Sequence, residues 1–260
     1  MLELREFSFD SQGTRLVGFE QGHGRPIVLL HGGLADHLAS ATLGGSLGAR
    51  YRLITPDLRA AGRSVYAGEL SWDLLADDVA ALLRALELPR AVIGGSSMGS
   101  AVALRFALGH PSAVAGLVLV APVFRGAALG CTPAQAEAMA AMDEFGQRAL
   151  ESGVRALRPL YERLAEPVRE LALAMLDGFD AASVATTTRF LASLAQPFED
   201  VADLGNVTAP ALIVPGTDDQ HPPEVAELYA QHLPRARLAS PGGVDLSELI
   251  GEFCEGDVRW

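Results

Sequence analysis

Continuous apolar runs and helical periodicities alternate along most of this chain. Residues 26–30 read Pro-Ile-Val-Leu-Leu, without the polar alternation of a half-exposed strand, as expected of a strand buried on both faces. Residues 51–55, 91–94, 115–120 and 211–214 follow the same pattern. Ahead of them, residues 2–9 and 15–20 alternate and are joined by Ser11-Gln12-Gly13, which predicts two strands and a turn. Helical patterns fill the gaps. Ser71 suits an N-cap with Asp73 in the first turn, and Leu75, Val79, Leu82, Leu83 and Leu86 fall on one face. Residues 100–109 form an Ala-rich helix that His110-Pro111 ends. The alternation predicts an α/β fold, with a mostly parallel central sheet and helices on both faces.

One stretch breaks the rhythm. Residues 132–196 hold no strand pattern, are rich in Ala, Leu and Glu, and are divided by Pro159 and Pro167. They read as a helical cap inserted into a core made of residues 1–131 and 197–260. Met139, Met142 and Phe145 recur there at helical spacing, which suits packing on the core or a surface turned toward a substrate.

The chain has 260 residues, 49% hydrophobic and 20% charged, as in ordinary globular proteins. Its 20 Lys and Arg against 32 Asp and Glu give a formal net charge of −12. Such a surface repels phosphate backbones and anionic lipid, so neither nucleic acid nor membrane is expected as a partner. The most apolar stretch, 113–122, is about half as long as a membrane span requires. Cys131 and Cys254 lie far apart and form no metal or redox pair. The start, Met1-Leu2-Glu3-Leu4-Arg5-Glu6, lacks a basic segment followed by an apolar one. A soluble, cytoplasmic protein acting on a small molecule is the expectation.

The chemistry concentrates in Gly95-Ser96-Ser97-Met98-Gly99, a G-x-S-x-G motif between a predicted strand and a predicted helix. A sharp turn there pushes the Ser97 hydroxyl out above the sheet, and glycines flank it where side chains would meet neighbouring backbone. The helix N-terminus adds backbone N–H groups for a developing oxyanion. No G-x-G-x-x-G follows a first strand and no phosphate-loop lysine occurs. Asp218, Asp219 and His221 cluster without the spacing of a metal motif, and no cofactor or metal is expected.

With these motifs the chain resembles the α/β-hydrolase superfamily over nearly its whole length. Residues 26–33, ending His31-Gly32-Gly33, are similar to the family's strand and oxyanion loop. Pro56-Asp57-Leu58-Arg59-Ala60-Ala61-Gly62-Arg63-Ser64 resembles its D-x-R-G-x-G-x-S loop, with Ala60 where glycine is usual. The general likeness is to small esterases, enol-lactonases and carbon–carbon bond hydrolases. The resemblance implies Ser97 as nucleophile, Asp219 as the acid three residues after Gly216, and the N–H groups of Gly33 and Met98 as the oxyanion hole. It gives His31, Asp57 and Arg59 loop-bracing roles.

One position departs from the family. In the turn Pro241-Gly242-Gly243-Val244-Asp245, Val244 stands where members carry the general-base histidine. Valine accepts no proton, and a serine without an adjacent base is a weak nucleophile. Val244 is therefore expected to leave the Ser97 hydroxyl without an imidazole partner; the alternatives are His221, two residues past Asp219 at a position apolar in the family, and His37, which follows the oxyanion loop near the pocket mouth. Three readings stay open: a serine hydrolase of an ester, lactone or activated carbon–carbon bond; a ligand-binding member without hydrolysis; and a lyase, isomerase or cyclase reusing the pocket.

Overall fold

The computed structural model describes residues 4–162, 166, 168–240 and 245–260. Among them the chain runs β1 (Arg5–Ser11), β2 (Thr14–Gln21), β3 (Pro26–Leu30), α1 (His37–Gly44), β4 (Arg52–Pro56), α2 (Trp72–Ala85), β5 (Ala91–Ser96), α3 (Met98–Gly109) and β6 (Val114–Val120). Four helices follow: α4 (Pro133–Ser152), α5 (Arg158–Tyr161), α6 (Val168–Leu176) and α7 (Ala181–Ala192). The chain then returns to β7 (Ala211–Val214), α8 (Pro223–His232), β8 (Ala236–Leu238) and α9 (Leu246–Gly256).

The strands form an eight-stranded sheet in the order β1-β2-β4-β3-β5-β6-β7-β8. β1, β2 and β4 pair antiparallel, and β4 through β8 are mutually parallel. Alternation along each parallel strand sorts the core into two layers. Val28, Leu30, Ile93, Leu117 and Leu119 face one side, with Leu75 and Val79 of α2, Val102 and Phe106 of α3, and Tyr229 of α8. Ile27, Leu29, Val92, Val118 and Leu212 face the other, against Leu47 and against Ile250 and Phe253 of α9. This is why the strands read as unbroken apolar runs: both faces are covered. The α/β-hydrolase fold class follows from this order, direction and two-sided covering.

The helices between β6 and β7 carry a cluster of their own, including Leu157, Met175, Leu176 and Phe179, which packs on Leu38 and Ala39 of α1. Other residues of that segment, Met139 and Leu191 among them, join the main core. α4 opens with a full capping box, Thr132 with Gln135, and Pro at its first position.

Phe253 is fully buried and its ring lies against Gly116 of β6, where an added Cβ would come within 3.1 Å of it. Removing the ring leaves a hole that neither the sheet nor α9 can close. Phe253→Ala should therefore lower stability by about 3–5 kcal/mol, read as a lower urea midpoint with an unchanged slope.

Candidate active site

β5 hydrogen-bonds to both β3 and β6, so the turn at its carboxyl end stands over the centre of the sheet. Ser97 occupies that turn with φ 52 and ψ −118, a backbone conformation that a non-glycine residue adopts only under constraint. The constraint is visible on both sides. Ser97 N–H donates to Val120 O at 3.0 Å, and Ser97 O accepts from Ser100 N–H at 3.0 Å and Ser100 Oγ at 2.6 Å. The turn also crosses the end of β3 at backbone contact. A Cβ on Gly99 would overlap the carbonyl oxygens of Leu30 and His31, and one on Gly95 would meet Leu30 O at 2.6 Å.

Gly99 lies within α3, so the two forces acting on a substitution there oppose each other. Helix propensity alone favours Ala over Gly by about 1 kcal/mol, whereas overpacking costs about 1–3 kcal/mol. The overlap is with backbone, which has least room to move. Gly99→Ala should thus destabilise the protein, as a lower midpoint in thermal unfolding.

The next loop to reach the site is the one after β7. Asp218, Asp219, Gln220 and His221 form a four-residue turn in which His221 N–H donates to Asp218 O at 3.0 Å. The Asp218 carboxylate accepts from Gln220 N–H and His221 N–H, each at 2.9 Å. The turn brings its first and fourth side chains together. His221 Nδ1 donates to Asp218 at 2.8 Å to Oδ1 and 3.1 Å to Oδ2. With its proton held there, the ring offers the Nε2 lone pair to Ser97, whose Oγ lies 2.9 Å away. The assignment of tautomer follows from the carboxylate, which only accepts.

Two sequence expectations are corrected by this geometry. The carboxylate that holds the imidazole belongs to Asp218. Asp219 is exposed at the second corner of the turn, because a four-residue turn faces position one, and not position two, toward position four. The serine also does not lack an imidazole partner, since His221 supplies one. Val244 itself lies outside the described residues. Partial burial acts to raise the Asp218 pKa, but the hydrogen bond and charge of His221, with the two turn N–H groups, hold it below the ordinary carboxylate value. Asp218 therefore stays ionised at neutral pH. Its side chain is 62% exposed, against 20% for His221, so the carboxylate faces solvent while the imidazole is sheltered.

His37 is the third correction. Its ring is not in the wall of the Ser97 cavity; it stacks on Phe19 with centroids 3.5 Å apart and its Nδ1 donates to Asp57 Oδ1 at 2.9 Å. Asp57 also accepts from the N–H groups of His37 and Arg63, each at 2.8 Å. Burial pushes its pKa up, but the bond from His37, the nearby His31 and the Arg63 N–H outweigh burial and leave it lowered. His31 donates through Nδ1 to Gly32 O at 2.7 Å and accepts from Leu58 N–H at Nε2, 3.0 Å. Burial, the largest influence on His31, lowers its pKa, which suits the neutral ring these two bonds require. Arg59 forms a buried two-pronged pair with Asp78 at 2.6 and 2.9 Å. These four side chains lock the loops after β3 and β4. Ala60 takes φ 64, the left-handed conformation that explains why glycine is usual there.

Asp36, His37 and Asp57 bring three potential ligand atoms within 4.8 Å of one another. Each already has a protein partner: Asp36 caps α1 by accepting from Leu38 N–H at 2.8 Å, and the other two hold each other. The group braces a loop.

Ser97 and His221 open onto a cavity of about 400 Å³. Gly32, Gly33 and Met98 line it on the sheet side, with Val123, Phe124 and Leu191 around them. Gln135, Met139 and Met142 of α4 and Val168 of α6 form the opposite wall. Among the described residues its lining is mainly apolar, with Ser97, His221, Gln135 and Gln220 as the polar side chains, which suits an uncharged organic group. Met98 opens α3, so its N–H is among those with no acceptor inside the helix. No helix among the described residues is long and apolar enough to cross a membrane.

The architecture agrees with sequence comparison. The model of the alpha/beta hydrolase family matches residues 27–249, and the chain belongs to that family. It is 40% identical over 94 residues to the AB hydrolase superfamily protein YisY of Bacillus subtilis, covering 35% of each chain. It is 32% identical over 200 residues to the protein named "Putative carbamate hydrolase RutD" of Variovorax paradoxus, covering 74% of this chain and 73% of the relative. The match spans about a third or less of the length of YisY and of the several proline iminopeptidases it also resembles. Among solved structures, an esterase from Thermogutta terrifontis superposes with a TM-score of 0.78 at 24% identity, covering 98% of this chain and all of that one. That likeness is one of fold.

Proposed function

We propose that this protein is a serine hydrolase cleaving esters or lactones of small, mainly apolar, uncharged substrates, with Ser97 as nucleophile, His221 as general base and Asp218 as the residue that orients the base. The observation that carries the reading is the continuous chain from the Asp218 carboxylate through the imidazole to the Ser97 hydroxyl, at 2.8 and 2.9 Å. The readings without hydrolysis rested on a serine lacking a base, and the imidazole at hydrogen-bond distance removes that ground. In this account residues 132–196 act as the cap over the core formed by 1–131 and 197–260.

The chemistry follows from the geometry. A substrate carbonyl enters beside Ser97, and the Ser97 proton passes to His221 Nε2 as Oγ attacks the carbonyl carbon. The carbonyl oxygen becomes an anion that the N–H groups of Gly33 and Met98 stabilise. Collapse breaks the bond to the leaving alkoxide, which takes the proton from His221 and departs as the alcohol. Water then repeats the sequence on the acyl-enzyme, giving the acid and the free Ser97 hydroxyl. The Asp218 anion stabilises the imidazolium present in each step and needs no proton of its own.

Turnover of p-nitrophenyl acetate tests the assignment. Ser97→Ala and His221→Ala should each lower kcat by about 10⁴-fold or more. Asp218→Asn should lower it by about 10²–10⁴-fold, while Asp219→Asn stays within about twofold. Undiminished turnover in His221→Ala would transfer the base role elsewhere. The pH profile of kcat/KM adds a second check, on Asp218. Asp218, with its lowered pKa, should contribute no separate step near neutrality.

A further inference from the structure

The turn that carries acid and base is poorly tethered for such a role. Residues 217–220 are exposed, and the hydrogen bonds within the turn fix its own shape but not its position. Its backbone passes close to Gly216, whose missing Cβ makes room for the His221 backbone and Cβ. Apart from the His221–Ser97 contact, one hydrogen bond among the described residues ties the turn to another part of the molecule. It comes from Gln135 of α4, whose Nε2 donates to Gln220 O at 3.1 Å. The same Nε2 donates to Val123 O at 2.9 Å, in the loop after β6 that walls the cavity. That loop is held independently, because Tyr229 Oη donates to Phe124 O at 2.7 Å.

Gln135 is fully buried, yet its side-chain amide has all its needs met. Oε1 accepts from Thr132 N–H at 2.9 Å as half of the capping box, and both amide protons go to the two carbonyls. The cap alone does not call for glutamine. A glutamate at this position closes the same box and suits the helix dipole better. Only glutamine accepts from the helix start and also donates to two carbonyl oxygens. The choice of residue thus points to the carbonyls.

We propose that Gln135 is a positioning residue for the base: it clips the Asp218–His221 turn to the fixed loop at Val123, so that His221 Nε2 stays within hydrogen-bond distance of Ser97. This inference rests on His221 being the base. It also gives the first turn of α4 a part in catalysis beyond forming a wall of the cavity. Geometry lost at this scale is costly, since a displacement of about 1 Å can reduce a rate by roughly 10²-fold.

The test is a double-mutant cycle on p-nitrophenyl acetate turnover. Gln135→Met removes the donors at similar volume; Gln135→Glu keeps the capping acceptor, so α4 retains its start. Both should fold, judged by circular dichroism, and should lower kcat by about tenfold or more with KM within about twofold. In the His221→Ala background neither should reduce the residual rate further, because there is no base left to position. Unchanged kcat in both variants would overturn the proposal. So would an equal loss with and without His221, which would make Gln135 a support for the pocket alone. Full activity in His221→Ala would instead overturn the base assignment beneath it, so the two failures are distinguishable.

Discussion

The backbone crossing between the end of β3 and the turn after β5 is the constraint on which the rest depends. Gly95 and Gly99 let the carbonyls of Leu30 and His31 approach the serine turn closely, and Ser97 is held at a positive φ as a result. A strained residue persists only where its surroundings over-determine it. Here β6 supplies one hydrogen bond to Ser97, and the first turn of α3 supplies others. The crossing also sets Gly32, Gly33 and Met98 around one end of the cavity. A serine hydroxyl, a helix start and an apolar chamber meet there because two strands and one helix pack at the limit of contact.

Against that fixed centre, the imidazole arrives on a compact unit. Asp218 and His221 belong to one turn, so the carboxylate needs no separate element to bring it to the ring. The carboxylate shapes the turn through two backbone N–H groups and orients the ring through a third bond. What such a unit gains in internal precision it lacks in external attachment: among the described residues, Gln135 supplies one hydrogen bond to it, through Gln220 O. The exposure of Asp218 follows from the same economy of chain: the turn lies at the surface, and residues 217–220 are all exposed.

Much of this was legible in the sequence. Strands buried on both faces declare themselves by length and lack of alternation, and residues 26–30, 91–94 and 115–120 coincide closely with β3, β5 and β6. The serine turn was legible because its glycines are a steric requirement. The carboxylate that bonds His221 was missed by one residue, since counting from Gly216 ignores turn chemistry. Asp at the first position and a partner at the fourth are an Asx-turn signal, and Asp218-Asp219-Gln220-His221 carries it directly before Pro222 and Pro223. His37 was misread because nothing local reveals that Asp57, twenty residues away, claims its ring. Gln135 was not singled out in the sequence; its two carbonyl partners come from segments 12 and 85 residues distant, a juxtaposition only the tertiary fold creates.

The central claim is that the Ser97 hydroxyl is activated by His221. The most direct measurement is the rate of covalent labelling by a fluorophosphonate, followed by intact mass and peptide mapping, in the wild-type protein and in His221→Ala. The account predicts one label per chain, on Ser97, with a rate at least about 10²-fold lower in the variant. Labelling of Ser97 at the same rate in both proteins would contradict it.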